Sequence, residues 1–249
     1  MWNIDVSTNP VYKSTNLKQF SISVREAPVP MLQKTFLTFA VLFCFISTSI
    51  AADLSPMKLP PPDMKGGKPL MQCLKDRKTD RSFSTKKLPV EVLSNLLWAA
   101  WGINRPDSGK RTAPSAHHWQ EIDVYVAMEE GLYRYNARNH ALDPVLKSDL
   151  RKNTSHLLQP LRGSITGAPL QLIYVADFSR MGLTTSDEEK KISSAADAGF
   201  IAQNVYMYCA SAGLATGVRA SFDKDALAEN MRLRDKQKMV LVQAVGYSQ

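Results

Sequence analysis

The sequence predicts an α+β fold, a central and mostly antiparallel sheet of about five strands flanked by helices. Three observations carry this. Short apolar, β-branched runs recur at 122–127, 170–176, 216–220 and 239–245. A tight-turn signal, Glu129-Glu130-Gly131, joins the first run to Leu132-Tyr133-Arg134-Tyr135 as a hairpin. Two helical patterns, 89–101 and 186–213, fail to alternate strictly with the strands, which argues against a doubly wound sheet.

Composition sets the frame for these elements. In 249 residues, 44% apolar and 22% charged, there is enough apolar side chain for one substantial core. Three cysteines are too few for a disulfide scaffold or a multi-cysteine zinc module. No run of 20 apolar residues exists, which excludes a polytopic helical membrane protein. A formal charge of +8 calls for an anionic partner, and a phosphate-bearing cofactor satisfies it as well as nucleic acid does.

The order along the chain starts with Met1 to Pro30, polar and unpatterned, expected to be a start-site extension ahead of Met31. Residues 31–51 then read as a secretory signal. Lys34 precedes the apolar run Phe36 to Ile46, and Ser49 and Ala51 are the small residues of a cleavage site. The run is short for a membrane anchor, so the expected product is exported, to the periplasm, with no stable anchor. Residues 52–70 carry Pro56, Pro60, Pro61, Pro62, Pro69 and the Gly66-Gly67 pair, a composition that favours an extended arm over a packed element. Residues 71–249 form the functional domain. Cys73 and Cys209 lie within it. An export compartment permits a disulfide between them, and two buried free thiols stand equally open.

The first helix starts at Pro89, and Val92, Leu93, Leu96, Leu97 and Ala100 recur on one face. The long helix opens with Ser186-Asp187-Glu188-Glu189, an acidic turn that complements the helix dipole. Its middle, Ala195 to Ala210, is dense in small residues. That density fits a buried core helix or a subunit interface. Asp223 is placed to cap a short helix between the last two strands.

No Walker loop, nucleophile elbow, dinucleotide-binding glycine motif or zinc-protease motif is present. The adjacent His117 and His118, with His140 and His156, make a poor set of metal ligands. Basic clusters lack the interleaved aromatics of nucleic-acid binders. Two segments stand out instead. Arg77-Lys78-Thr79-Asp80-Arg81-Ser82-Phe83 gathers three cations and two hydroxyls before the first helix. It reads as a phosphate cradle or as a solvated charge run. Arg111 to Gln120 packs small, hydroxyl and amide groups ahead of a strand, suited to a flat heterocycle or to an ordinary loop around a buried Trp119.

Together the two segments resemble the FMN-dependent nitroreductase family. There, an R-x-S-x-R/K-x-F segment holds the FMN phosphate and a later P-S-x-x-N-x-Q loop lies against the flavin ring across a dimer. Arg77, Thr79, Arg81 and Phe83 match the first motif; Pro114, Ser115, His118 and Gln120 match the second, with His118 where Asn is common. The endings Ala220-Ser221-Phe222-Asp223 and Val245-Gly246-Tyr247 fit the same pattern, and Gly131-Leu132-Tyr133-Arg134-Tyr135 resembles the azoline-oxidase-like dehydrogenase branch. The resemblance implies a homodimer joined through helices, and FMN held by Arg77, Lys78, Thr79, Arg81, Pro114, Ser115, Ala116, His118, Gln120, Ala220 and Ser221. It implies a ping-pong transfer of hydride or electrons between a small-molecule donor and acceptor, with no catalytic side chain and no metal. A flavin-binding protein without turnover, or an interaction protein that has lost the cofactor, is the alternative on the same fold.

Overall fold

The computed structural model describes residues 54–155 and 167–249. The expected extension, signal segment and Cys44, and also His156, lie outside the described residues.

Seven strands form one antiparallel sheet in the order β1-β6-β5-β4-β7-β9-β8. They are β1 (Met57–Lys58), β4 (Ile122–Ala127), β5 (Leu132–Asn136), β6 (Ala141–Leu146), β7 (Leu170–Asp177), β8 (Ala215–Arg219) and β9 (Gln237–Gly246). β2 (Ile103–Arg105) and β3 (Lys110–Arg111) pair separately. The four α-helices are α1 (Leu70–Asp76), α2 (Val90–Trp101), α3 (Asp187–Ala212) and α4 (Lys224–Asn230).

The sheet is wider than the five strands expected. β6 contains Asp143 and Pro144, a poor strand signal. Yet β1 pairs only with Ala141 and Leu142, so Pro144 lies on the open edge, where no neighbour needs its missing N–H. The proline-rich arm is also more than extended chain. The two residues of β1 join the sheet edge, and Leu59 is buried. Ser94 Oγ donates to the Pro60 carbonyl at 2.5 Å, with His140 Nε2 2.7 Å from the same hydroxyl.

β7 sits at the middle and is buried along its whole length. Its side chains alternate between two cores. Leu172 and Tyr174 meet Val124, Val126, Leu96, Leu97, Ile201 and Val205 on the α2–α3 side. Ile173 and Val175 meet Tyr125, Phe222, Leu227, Met231 and Val242 on the α4 side. A satisfied polar chain crosses the first core. Tyr174 Oη donates to Gln243 Oε1 at 2.6 Å, and the Gln243 amide donates to Thr216 Oγ1 and to the Ala202 carbonyl of α3. Leaving any member unpaired costs about 1–3 kcal/mol, so the chain specifies how α3 seats on the sheet.

α3 begins as its sequence indicates. Ser186 and Glu189 form a reciprocal capping box, and Gly213 ends the helix in the left-handed conformation. Its small residues divide by face. Ala198, Ala202, Val205 and Cys209 are buried against the sheet, whereas Ile192, Ala195, Ala196, Gly199 and Phe200 are exposed. Cys73 and Cys209 are both buried free thiols.

Candidate functional site

The 77–83 segment leaves α1 and runs along the end of β8. Asp80 N–H donates to the Thr216 carbonyl at 2.9 Å, and Phe83 bridges to Ser248. Contact with the sheet is close because residue 217 is glycine: a Cβ there would stand 2.9 Å from the Asp80 carbonyl oxygen. Asp80 braces the segment. Its carboxylate accepts from Ser82 N–H at 3.1 Å and Ser248 Oγ at 3.3 Å. The Ser82 N–H contact holds this carboxyl below the usual range.

Thr79 Oγ1 is 2.9 Å from Tyr206 Oη, which also accepts from the Val218 N–H. The Arg77 guanidinium lies 5.4 Å from the centre of the Tyr206 ring. Lys78 reaches Asp80 only at 3.5 Å and is 76% exposed, and Arg81 is exposed with no ion pair among the described residues. The segment therefore presents cations with little internal commitment. Beside them opens a cleft of about 390 Å³, lined in part by Lys78, Asp80, Tyr206, Thr216 and Ser248. Exposed cations beside a cleft are donors of the kind that a phosphate monoester needs.

The second segment is built differently. His117, His118 and Gln120 all hold left-handed backbone conformations, at φ 50°, 58° and 48°. Such residues persist only when their surroundings over-determine them. Ser115 Oγ accepts from Gln120 N–H at 2.8 Å and lies 3.3 Å from Glu121 Oε2. Ala116 N–H donates to Asp197 Oδ2 of α3 at 2.9 Å. Gln120 Oε1 accepts from Arg111 Nε at 2.7 Å, while its amide donates to the Gly109 carbonyl. Arg111 also donates to the Trp101 carbonyl and stacks over the Trp101 ring. Burial pushes its guanidinium pKa down. Pro114 and His118 are exposed, and Trp119 is half-buried rather than enclosed.

Ala220 and Ser221 are exposed and continue directly from β8. Arg219, just before them, is largely buried. It donates to Thr154 and to Gln171 Oε1, with no carboxylate partner among the described residues, and burial pushes its pKa down to about 10.

Within one chain the two segments meet α3 at different points. The first touches α3 at Tyr206 and the second at Asp197, about 13 Å apart along the helix. Arg111 opens the second segment as expected, whereas Tyr206, Glu121 and Asp197, which the structure sets against the two segments, are not marked by the sequence motifs. Asp197 did leave a signal, a lone carboxylate inside a small-residue run, which needs a partner if that run is buried.

The family model described as the Nitroreductase family matches residues 74–247. A nitroreductase-like protein of Methanocaldococcus jannaschii is 28% identical over 196 residues, covering 76% of this chain and 96% of that one. A solved structure assigned to the nitroreductases, from Ralstonia eutropha, is 40% identical over 80% of this chain and 92% of its own, with a TM-score of 0.72. A chain of the Escherichia coli microcin synthetase McbBCD complex, solved with truncated pro-MccB17 bound, shares the fold. It has a TM-score of 0.60 and 18% identity, over 92% of this chain and 85% of that one. Strand order, the segment docked on β8, the loop ahead of β4 and these matches agree: the chain belongs to the nitroreductase family, whose membership supports flavin-based oxidoreduction.

Proposed function

We propose that the protein is an FMN-dependent oxidoreductase that moves hydride or electrons between small organic molecules in a ping-pong cycle. The observation that supports this is the exposed pair of cations Lys78 and Arg81 on the segment docked against β8, with Lys78 lining the cleft and Arg77 and Thr79 set against Tyr206. Arg77, Lys78, Thr79 and Arg81 would hold the phosphate. The Pro114–Gln120 loop, with Ser115, Ala116, His118 and Gln120, would hold the ring system together with the backbone at Ala220 and Ser221. FMN, when bound, supplies the redox chemistry, and the protein supplies orientation, charge and exclusion of water.

The site is shared by two copies of the chain, as the family resemblance implies. The exposed face of α3, Ile192, Ala195, Ala196, Gly199 and Phe200, is the surface we assign to that homodimer. Small residues there let the partner helix approach closely. Export, as the 31–51 segment reads, places the protein away from cytoplasmic NAD(P)H. The donor is then an organic substrate, in the manner of the azoline-oxidising branch, or another exported carrier.

The test is the visible spectrum of the purified protein before and after denaturation. A flavin spectrum whose chromophore is released on unfolding, and which bleaches when an anaerobic donor is added, supports the proposal. A colourless protein that gains no flavin absorbance with added FMN overturns it. A bound flavin that no donor reduces identifies a flavin carrier without turnover.

A further inference from the structure

We propose that Glu121 and Asp197 share a single proton in the folded protein, and that this proton clamps the 114–120 loop through Ser115 and Ala116. Both carboxyls are out of water, Glu121 at 0% and Asp197 at 2% exposure. They lie within hydrogen-bonding reach of each other. Glu121 Oε2 takes the Ser115 hydroxyl and Asp197 Oδ2 takes the Ala116 N–H. Glu121 Oε1 is buried and makes no hydrogen bond.

Two ionised carboxylates there would repel each other. One proton on Glu121, donated to Asp197, removes that repulsion although the Ser194 hydroxyl also reaches Glu121. The charged groups around the pair do not offer a substitute. Arg180 donates to the Glu121 main-chain carbonyl at 2.8 Å, but its charge faces Asp123 at 2.7 Å and Asp177 at 3.9 Å. On α3 the pair faces the neutral Ser194, and on the loop the neutral Ser115. No cation forms an ion pair with either carboxyl among the described residues. Burial first, and then the neighbouring Asp197 charge, pushes the Glu121 pKa up.

The clamp explains how a loop with three left-handed residues keeps its shape. Ser115 accepts from Gln120 N–H and donates to Glu121, so the two ends of the loop are tied to one carboxyl. Glu121 and Asp197 are positioning residues, acting on any ligand only through Ser115 and Ala116. The consequence for flavin binding rests on the function proposed above; the shared proton itself does not.

The experiment uses the flavin-free protein, full chain. Infrared spectroscopy at neutral pH is expected to show a protonated-carboxyl band that Glu121→Gln removes. Amide exchange of residues 115–120 is then followed against pH in both proteins. Gln mimics the protonated acid and cannot titrate. At acid pH the two should exchange alike. At alkaline pH the wild-type loop should exchange several-fold faster. Global stability carries the same sign. The folded state holds a proton that the unfolded chain has already released, so wild-type stability falls as pH rises from the ordinary glutamate range to the raised value, and the Gln variant lacks that fall. If Glu121→Gln does not fold, Asp197→Asn supplies the same comparison, since its amide donates to an ionised Glu121. No carboxyl band, or identical exchange profiles at every pH, overturns the clamp. Failure of FMN to bind at any pH, with band and exchange difference intact, removes the functional reading and leaves the clamp standing.

Discussion

The 77–83 segment and the 111–121 loop both set polar side chains beside α3, and they do so by opposite means. In the segment, the main chain is anchored and the cations are left free: Asp80 ties the backbone to β8, while Lys78 and Arg81 extend into solvent. In the loop, the side chains are consumed by the protein. Arg111, Ser115 and Gln120 bond to one another or to main chain, and the backbone is forced into the left-handed region three times. Free donors supply affinity to a ligand, and committed ones supply shape. Substitutions in the two regions should therefore leave different signatures.

The largest effect is expected where the segment is pressed on the sheet. Gly217→Val places a side chain where Asp80 O stands 2.9 Å from the first added carbon. Overpacking of this kind costs about 1–3 kcal/mol, and displacement of the cations should abolish FMN binding as well. Denaturant unfolding and a flavin titration measure the two losses. A variant that keeps native affinity would show that the segment's docking on β8 is irrelevant to the ligand. Next comes Arg77→Ala. It should weaken FMN binding by about 1.5–3 kcal/mol, the range for a charge-assisted hydrogen bond, and leave unfolding nearly unchanged. Equal losses in both assays would erase the contrast between the regions. Ser115→Ala should show the mixed signature instead. Losing the acceptor for Gln120 N–H costs about 1 kcal/mol in stability, and affinity should fall with it although no cation is touched.

What the sequence reveals follows how local each signal is. β7 and β4 are readable because an apolar run buried on both faces looks the same in any context. The ends of α3 are readable because Ser186 and Glu189 lie within one turn of each other. β1 and β6 are not, because their pairing depends on each other, and Pro144 is tolerable only where β1 has already ended. The small residues of α3 show no strong periodicity by themselves, so only the packed structure separates Ala198 and Ala202, inside, from Ala195 and Gly199, outside. The site divides the same way. Arg77 to Arg81 form a visible cluster in the chain, whereas Tyr206, which receives Thr79, lies 127 residues from it. Glu121 and Asp197 become a pair only when the loop meets α3.

His118→Asn gives the smallest effect and bears most directly on the comparison. His118 is the one position of the second motif that departs from the common residue. Its ring nitrogens lie 3.3 Å from the Gln120 amide nitrogen, and its backbone is left-handed at φ 58°. Asparagine adopts that conformation more easily than most residues and offers both a donor and an acceptor at a similar reach. The side chain is exposed, so stability should change by no more than about 0.5 kcal/mol. If the loop acts through its shape, affinity for FMN should be retained as well, because the ties at Ser115, Ala116 and Gln120 are untouched. A marked loss of affinity with unchanged stability would place His118 with the free donors of the 77–83 segment. The loop would then contribute a direct contact through this one side chain, and the division between a binding segment and a shaping loop would fail at that residue.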